Sequence, residues 1–422
     1  MEEFMQKSMG EHMQEPLQIP MQIPGDAEQI IDQLKDAGYE AYVVGGCVRD
    51  MLLGRVPGDW DITTSAKPEQ VKAVFGRTID TGIQHGTVTV MRGKTGYEVT
   101  TYRIDGEYED GRHPKSVAFT ASLEEDLKRR DFTINAMAYS HKDGLVDIFG
   151  GQEDLCGKQI RCVGNPMDRF TEDALRILRA IRFSAQLDFQ IEPETKEAIT
   201  VIAPNLIHVS KERIQVELTK LLLSDHPEIM SLVFETGISP YISTAFSKIP
   251  TEQVVVDPKL PKEKALRWAA FLHLVSPEEA VRILRDLKLD NDTISNVKLW
   301  TGWWNRLLTV EGYALRKAMS QMTEEQFDRL ILLKQSLPEA PETDRQLDEI
   351  RNLASEIRLR GDCIRLKDMA VTGADLLESG MKSGKELGST LSRLFELVLE
   401  HPEYNTKKYL MNYLERRENE LL

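Results

Sequence analysis

At 422 residues and 41% hydrophobic content the chain is long enough for several domains, each with a buried core. Its formal charge of −15 excludes a protein that coats nucleic acid by bulk electrostatics, and no apolar run approaches the ~18–20 residues that span a bilayer. The four cysteines (Cys47, Cys156, Cys162, Cys363) form no CxxC pair and no dense framework, which points to reduced thiols in a cytoplasmic protein.

Residues 1–24 are acidic and rich in Met and Gln, unlike a secretory signal, and read as a disordered leader. From there helix and strand alternate. AEQIIDQLKDAGY predicts a helix, AYVVGG a strand entering a glycine turn, DMLLG a short helix and WDITT a second strand. KPEQVKAVF predicts a helix, while GTVTVMR and YEVTTYR predict strands separated by the turn Gly93–Gly96. The result is an α/β domain on a mixed sheet over residues 25–155. Beyond about residue 165 only helical spacing remains, in TEDALRILRAIRFSAQL, SKERIQVELTKLLLS, PEEAVRILRDLKL, TDRQLDEIRNLASEIRLR and STLSRLFELVLEH. The remainder is therefore an all-α extension, divided into a neck (156–225), a body (226–320) and a tail (321–422).

Chemistry concentrates at VVGGCVRDMLLGRVPGDWDITT, Val43–Thr64. Alternation along a strand puts Asp59 and Asp61 on one face and Trp60 on the other. Two carboxylates so close repel unless a cation sits between them, and hard oxygen ligands suit Mg²⁺ held jointly with substrate phosphates. Glu98, on a neighbouring predicted strand, is a third acid for the same site, enough to hold two metals. A lone DxD is commonly a cap or a solvated turn, so the weight lies on what precedes it. Gly46, between a strand and a helix, permits close backbone approach to a triphosphate, and Arg49 adds a charge-assisted contact. Neither a GxGxxG nor a GK[ST] pattern is present, which excludes dinucleotide and Walker readings.

GGCVRD, eight residues, then DWD resembles the signature of the nucleotidyltransferase superfamily that includes DNA polymerase β. More narrowly it is similar to class II tRNA nucleotidyltransferases, the CCA-adding enzymes, and to bacterial poly(A) polymerases. Further motifs follow in order: RRDFTINA (Arg129–Ala136), DIFGGQEDL (Asp147–Leu155), EDALR (Glu172–Arg176) and SKERIQVEL (Ser210–Leu218). The resemblance implies a template-independent enzyme that uses CTP and ATP with Mg²⁺ to add C, C and A to tRNA. Asp59 and Asp61 are then the metal ligands and Glu98 the third catalytic acid. Arg130 is implied to touch ribose and phosphates, and the 147–155 motif to act as a hinge. Poly(A) polymerase, an enzyme adding only the last A, and a silent tRNA-binding scaffold stand as alternatives.

Asp173 and Arg176, three apart on a predicted helix, offer an acceptor beside donors. Cytosine and adenine present an amino donor next to a ring acceptor and match that pair. Uracil and guanine present the reverse. A mismatched buried pair costs on the order of a few kcal/mol, enough for strong rejection. Arg179 and Arg182 continue the stripe, and the resemblance assigns them to the nucleotide. Lys158–Arg182 carries six basic residues against three acidic ones, a local basic track in an acidic chain. Arg213 and Glu217 read as i, i+4 partners that buttress the reader helix.

Elsewhere plainer readings prevail. His113, in the polar loop Arg103–Phe119, reads as solvated, while the loop's presence, by resemblance, favours full CCA addition. The tryptophans of LWTGWWNRLL read mainly as core, and GMKSGKELG as a helix start that could meet tRNA phosphate. No His-Asp dipeptide exists among the eight histidines, so the metal phosphohydrolase domain of some relatives is not expected. Homodimerisation is left open.

Overall fold

The computed structural model describes residues 21–105, 117–250, 256–338 and 340–420. It divides into two compact units, Met1–Thr251 with Asp286–Lys288, and Glu252–Arg285 with Leu289–Leu422.

The first unit opens with α1 (Gly25–Asp36), which buries Ala27, Ile30, Ile31 and Leu34 along one face. It stops where Gly38 adopts φ +88° and the Tyr39 N–H returns to the Leu34 carbonyl. In chain order there follow β1 (Ala41–Val44), α2 (Gly46–Leu52), β2 (Ile62–Thr64), α3 (Pro68–Val74), β3 (Thr78–Gly82), β4 (Thr87–Arg92) and β5 (Thr95–Thr101). Next come β6 (Arg103–Asp105), β7 (Val117–Phe119), α4 (Leu123–Lys128), β8 (Met137–Ser140), β9 (Gly144–Asp147) and α5 (Gly151–Cys156). Seven strands form one sheet in the order β3-β4-β5-β2-β1-β8-β9. Every neighbouring pair is antiparallel except β2 and β5, which run parallel with Ile62 beside Val99. This is the mixed sheet the sequence predicted.

The two faces of the sheet differ in chemistry. Ile62, Val88, Val90 and Val99 are buried on the side covered by α1 and α3. The other side is lined by hydroxyls. Thr87 and Thr100 share a hydrogen bond at 3.0 Å, Thr81 and Thr89 one at 2.8 Å, and Thr63 donates to Asp126 at 3.1 Å. Thr89 lies opposite Glu98, so that acid projects from the hydroxyl side.

The predicted loop Arg103–Phe119 begins and ends in the antiparallel pair β6 and β7; residues 106–116, His113 among them, lie outside the described residues. Beyond α5 come α6 (Pro166–Glu172), α7 (Leu175–Leu187), α8 (Pro193–Ile202) and α9 (Lys211–Leu222), with α7 packed on α9. Gln159–Ile160 and Gln190–Ile191 pair as a two-residue parallel bridge, a small exception to the expected all-helical run.

In the second unit the helices Lys264–Phe271, Asn291–Trp304 and Glu324–Ser336 pack together around fully buried Trp268 and Trp304. A second core gathers Val371, Leu376, Leu394, Val398 and Leu410. Trp300 and Trp304 enter the core as expected, while Trp303 stays partly exposed. No helix among the described residues is long and apolar enough to cross a membrane.

Candidate active site

The strand β2 starts at Ile62, so Asp59 and Asp61 lie at its mouth rather than within it. Asp61 still holds a ladder position, its carbonyl accepting the Val44 N–H at 3.0 Å. The pairing of Ile62 with Val99 brings Asp61 beside Glu98. All three carboxylates, with Trp60 and Gly96, line one cavity of roughly 460 Å³. Trp60 was expected on the far face, but strict alternation applies only inside a strand, and here the chain has not yet entered one.

Asp61 reaches solvent, yet desolvation raises its pKa above the usual carboxylate range; Arg130 opposes the rise and the Asp59 charge adds to it. Among the described residues no three His, Cys, Asp or Glu side chains form a closed cluster. The acids therefore face a shared cavity instead of converging on a ready-made cage. Such a donor set, a few hard oxygens with room for phosphate, suits a hard divalent cation shared with a substrate.

The glycine turn is built as predicted, from β1 through Gly45 into α2. The conformational demand falls on Gly45, one residue before Gly46. Gly45 adopts φ +79° and ψ −128°, and a Cβ there would lie 3.1 Å from Arg130 Nη1. Arg49, on α2, donates to Asn135 Oδ1 at 2.7 Å and to Asp50 Oδ1 at 2.9 Å.

Two buried acids that the sequence reading passed over organise this region. Asp126 is fully buried and accepts from Arg129 (2.8 and 2.9 Å), Arg130 (3.4 Å) and Thr63 (3.1 Å). It thereby ties the strand that follows Asp61 to Arg130. Asp131 accepts from Arg179 Nε at 2.7 Å, the Phe132 N–H at 2.9 Å and Asn135 Nδ2 at 3.3 Å. Burial alone would raise its carboxyl, but the Arg179 and Arg176 charges and these hydrogen bonds hold it down at about 2. Asn135 thus bridges Arg49 to the Asp131–Arg179 pair.

The DIFGGQEDL segment is a locked turn. Asp147 caps α5 by accepting the Gly151 and Gln152 N–H groups at 2.7 and 2.8 Å. A Cβ at Gly151 would sit 2.5 Å from the Thr133 carbonyl oxygen, so glycine is what lets α5 press against the 129–136 segment.

The predicted reader helix is broken. Asp173 is extended (φ −142°, ψ 100°) between α6 and α7, and its carboxylate caps α7 by accepting the Leu175 N–H at 3.1 Å. Asp173 and Arg176 therefore do not share a helix. Asp173 is held by Arg213, at 2.7 and 3.3 Å. Arg176, 8% exposed, donates to Glu172 Oε2 at 2.7 Å and to the carbonyls of Arg169 and Arg129. The expected Arg213–Glu217 pair is absent because Glu217 pairs with Arg182 at 2.5 Å. A within-helix pair contributes only a few tenths of a kcal/mol, and these cross-helix pairs, with less exposure to water, override it. Arg49, Arg179 and Arg182 all lie over the ring of Phe183, within 5.4 Å of its centroid.

Residues 41–161, which hold the acids, the glycine turn and buried Asp126 and Asp131, match the poly A polymerase head domain. Residues 188–246 match the family described as the probable RNA and SrmB-binding site of polymerase A, and 260–414 match tRNA nucleotidyltransferase domain 2. The CCA-adding enzyme of Geobacillus thermodenitrificans is 39% identical over 404 residues, covering 92% of this chain and 96% of that one. The chain belongs to the CCA-adding enzyme family. That of Bacillus licheniformis is 39% identical over 397 residues, again covering 92% and 96%. The crystal structure of the Bacillus stearothermophilus CCA-adding enzyme in complex with CTP superposes with a TM-score of 0.77. It is 33% identical, and the match covers 97% of this chain and all of that one. As a CCA-adding family member the chain is a tRNA nucleotidyltransferase, and its family fold is the mixed sheet followed by helices.

Proposed function

We propose that this chain completes the 3′ end of tRNA by adding C, C and A in turn from CTP and ATP, releasing pyrophosphate, without a nucleic-acid template. The observation that carries the reading is the cavity shared by Asp59, Asp61 and Glu98, which adjoins Arg130 and the glycine turn.

In this reading Asp59 and Asp61 hold Mg²⁺, with Glu98 completing the acidic rim. The bound ion would neutralise triphosphate charge and favour the ionised 3′ hydroxyl of the tRNA. Arg130 supplies the protein's own positive charge. Asp126 fixes one of its nitrogens, while its buried Nε has no hydrogen-bond partner among the described residues. Gly45 leaves the space that Arg130 occupies. Asp173 presents its remaining lone pairs to the amino group of cytosine or adenine while Arg213 keeps the carboxylate oriented. Arg176, Arg179 and Arg182, each anchored to an acid, keep that part of the site rigid. Selection then rests on mismatched polar groups, which reject uracil and guanine. The four cysteines are free, consistent with work in the cytoplasm.

Incubation with Mg²⁺, labelled CTP and ATP, and tRNA lacking its last three nucleotides tests this. The expected product is three nucleotides longer, and CTP alone extends it by two. Extension only of tRNA already ending in CC would mark an A-adding enzyme, and long A tracts a poly(A) polymerase. Bound tRNA with no incorporation would mark a scaffold.

A further inference from the structure

The second unit carries a cavity of roughly 430 Å³ that has no part in the chemistry above. Its walls include Trp303, Arg306, Leu307, Tyr313 and Lys317. Trp303 is the last residue but one of the helix Asn291–Trp304, near the buried Trp300 and Trp304, yet is itself only partly covered. The Arg306 guanidinium lies 4.8 Å from the centre of that ring. Leu307 and Val310 extend the surface, 58% and 48% exposed.

The loop that presents these residues is held by an uncommon device. Lys334 and Glu342 form an ion pair at 2.8 Å with both side chains fully buried. Lys334 Nζ also donates to the carbonyls of Trp304 and Arg306, at 2.9 and 3.0 Å, and Glu342 accepts the Leu308 N–H at 2.6 Å. A buried ion pair is weak evidence for stability, since apolar residues of similar volume often serve as well. Here it fixes the backbone from Trp304 to Leu308, the segment that carries Arg306 and directly follows Trp303.

Charge points to what that partner is. The Glu311 carboxylate is spent capping the helix Gly312–Ser320, accepting from Tyr313 and Ala314. Glu396 is taken by Tyr313 and Lys317. Among the described residues Arg306 pairs with no carboxylate, which leaves its positive charge stacked on a half-buried aromatic ring. An aromatic face flanked by a guanidinium is the surface on which an unpaired base stacks while its phosphate meets the charge.

We propose that Trp303 and Arg306 form a second RNA contact, taking one unpaired base of the tRNA and the phosphate beside it. This rests on tRNA being the substrate, and assigns to the second unit a site separate from the acid cavity, which belongs to the first.

The test measures binding and turnover separately in the full-length chain. Trp303→Ala should weaken tRNA binding roughly tenfold and raise the KM for tRNA by the same factor. The kcat at saturating tRNA and the KM for CTP should not change. Trp303→Phe should restore most of the affinity, which a purely structural role for the indole would not require. Arg306→Gln should lower the salt dependence of log binding by about one unit of slope. Thermal melts confirm folding of each variant. Trp303→Ala and Arg306→Gln binding tRNA within twofold of the parent would overturn the proposal, even with CCA addition intact. A change in sedimentation from dimer to monomer, with tRNA affinity retained, would instead assign the surface to a second copy of the chain and likewise overturn it. Binding of tRNA by the parent without incorporation would refute the catalytic reading and leave the platform to be judged on affinity alone.

Discussion

Arg213 grips both carboxylate oxygens of Asp173 across forty residues of sequence, at 2.7 and 3.3 Å. The acceptor proposed to choose the base is therefore oriented from α9. Arg213→Ala should free that carboxylate to rotate. Discrimination of CTP over UTP, read as the ratio of kcat/KM values, should fall on the order of tenfold, with a smaller loss in CTP turnover. An unchanged ratio would remove Arg213 from the selection apparatus.

Asp59→Asn and Asp61→Asn each remove one anionic oxygen donor from the cavity. Each should lower incorporation on the order of 10³-fold or more at fixed Mg²⁺ while tRNA affinity stays within about twofold. Filter binding beside single-turnover extension separates the two effects; residual turnover near the parent's would refute the metal assignment.

Gly45→Ala places a methyl group 3.1 Å from Arg130 Nη1 on a backbone with φ +79°. The strain costs about 1–3 kcal/mol, and Arg130 must move. The KM for CTP and ATP should rise together, about tenfold, because on the proposed reading the guanidinium meets the triphosphate common to both nucleotides. Gly46→Ala, whose added Cβ would lie 3.6 Å from the Arg49 guanidinium and whose φ is not positive, should be far milder.

Asp131 gives a pH signature. Its native pKa, about 2, lies below the ordinary 3.8, so the unfolded chain binds the extra proton between those values. Its contribution to stability is complete above 3.8 and is lost as pH falls toward 2. Asp131→Asn should be less stable at neutral pH by roughly 2 kcal/mol, since Arg179 loses its counter-charge. It should also show a shallower acid dependence in urea unfolding midpoints across that window.

Much of this could be read from the sequence where the signal is local. The apolar run before Gly45, the acids at 59 and 61 and the period-two pattern of β4 and β5 each report their own neighbourhood, and the sheet followed. Helical spacing beyond residue 165 was equally plain. What stayed hidden depends on partners far along the chain. TEDALRILRAIRF has no Pro or Gly to mark a break, yet Asp173 leaves the helix because its carboxylate caps α7 and is drawn to Arg213. Arg213 and Glu217 have ideal i, i+4 spacing, but each finds a cross-helix partner instead. Asp126 and Asp131 looked like ordinary acids beside arginines, since only tertiary burial makes them hubs.

Glu98 reaches its place because Thr89 stands across from it, and Gly96 fits so closely that an added Cβ would lie 2.7 Å from the Thr89 methyl. A slip of β5 by one residue along β4 would hand that place to Tyr97 or Val99 and turn the carboxylate toward the apolar layer beneath α3. The acidity of the pocket therefore hangs on an odd-or-even count, kept by a two-residue corner, Gly93 and Lys94, in which Gly93 takes a φ of +59°.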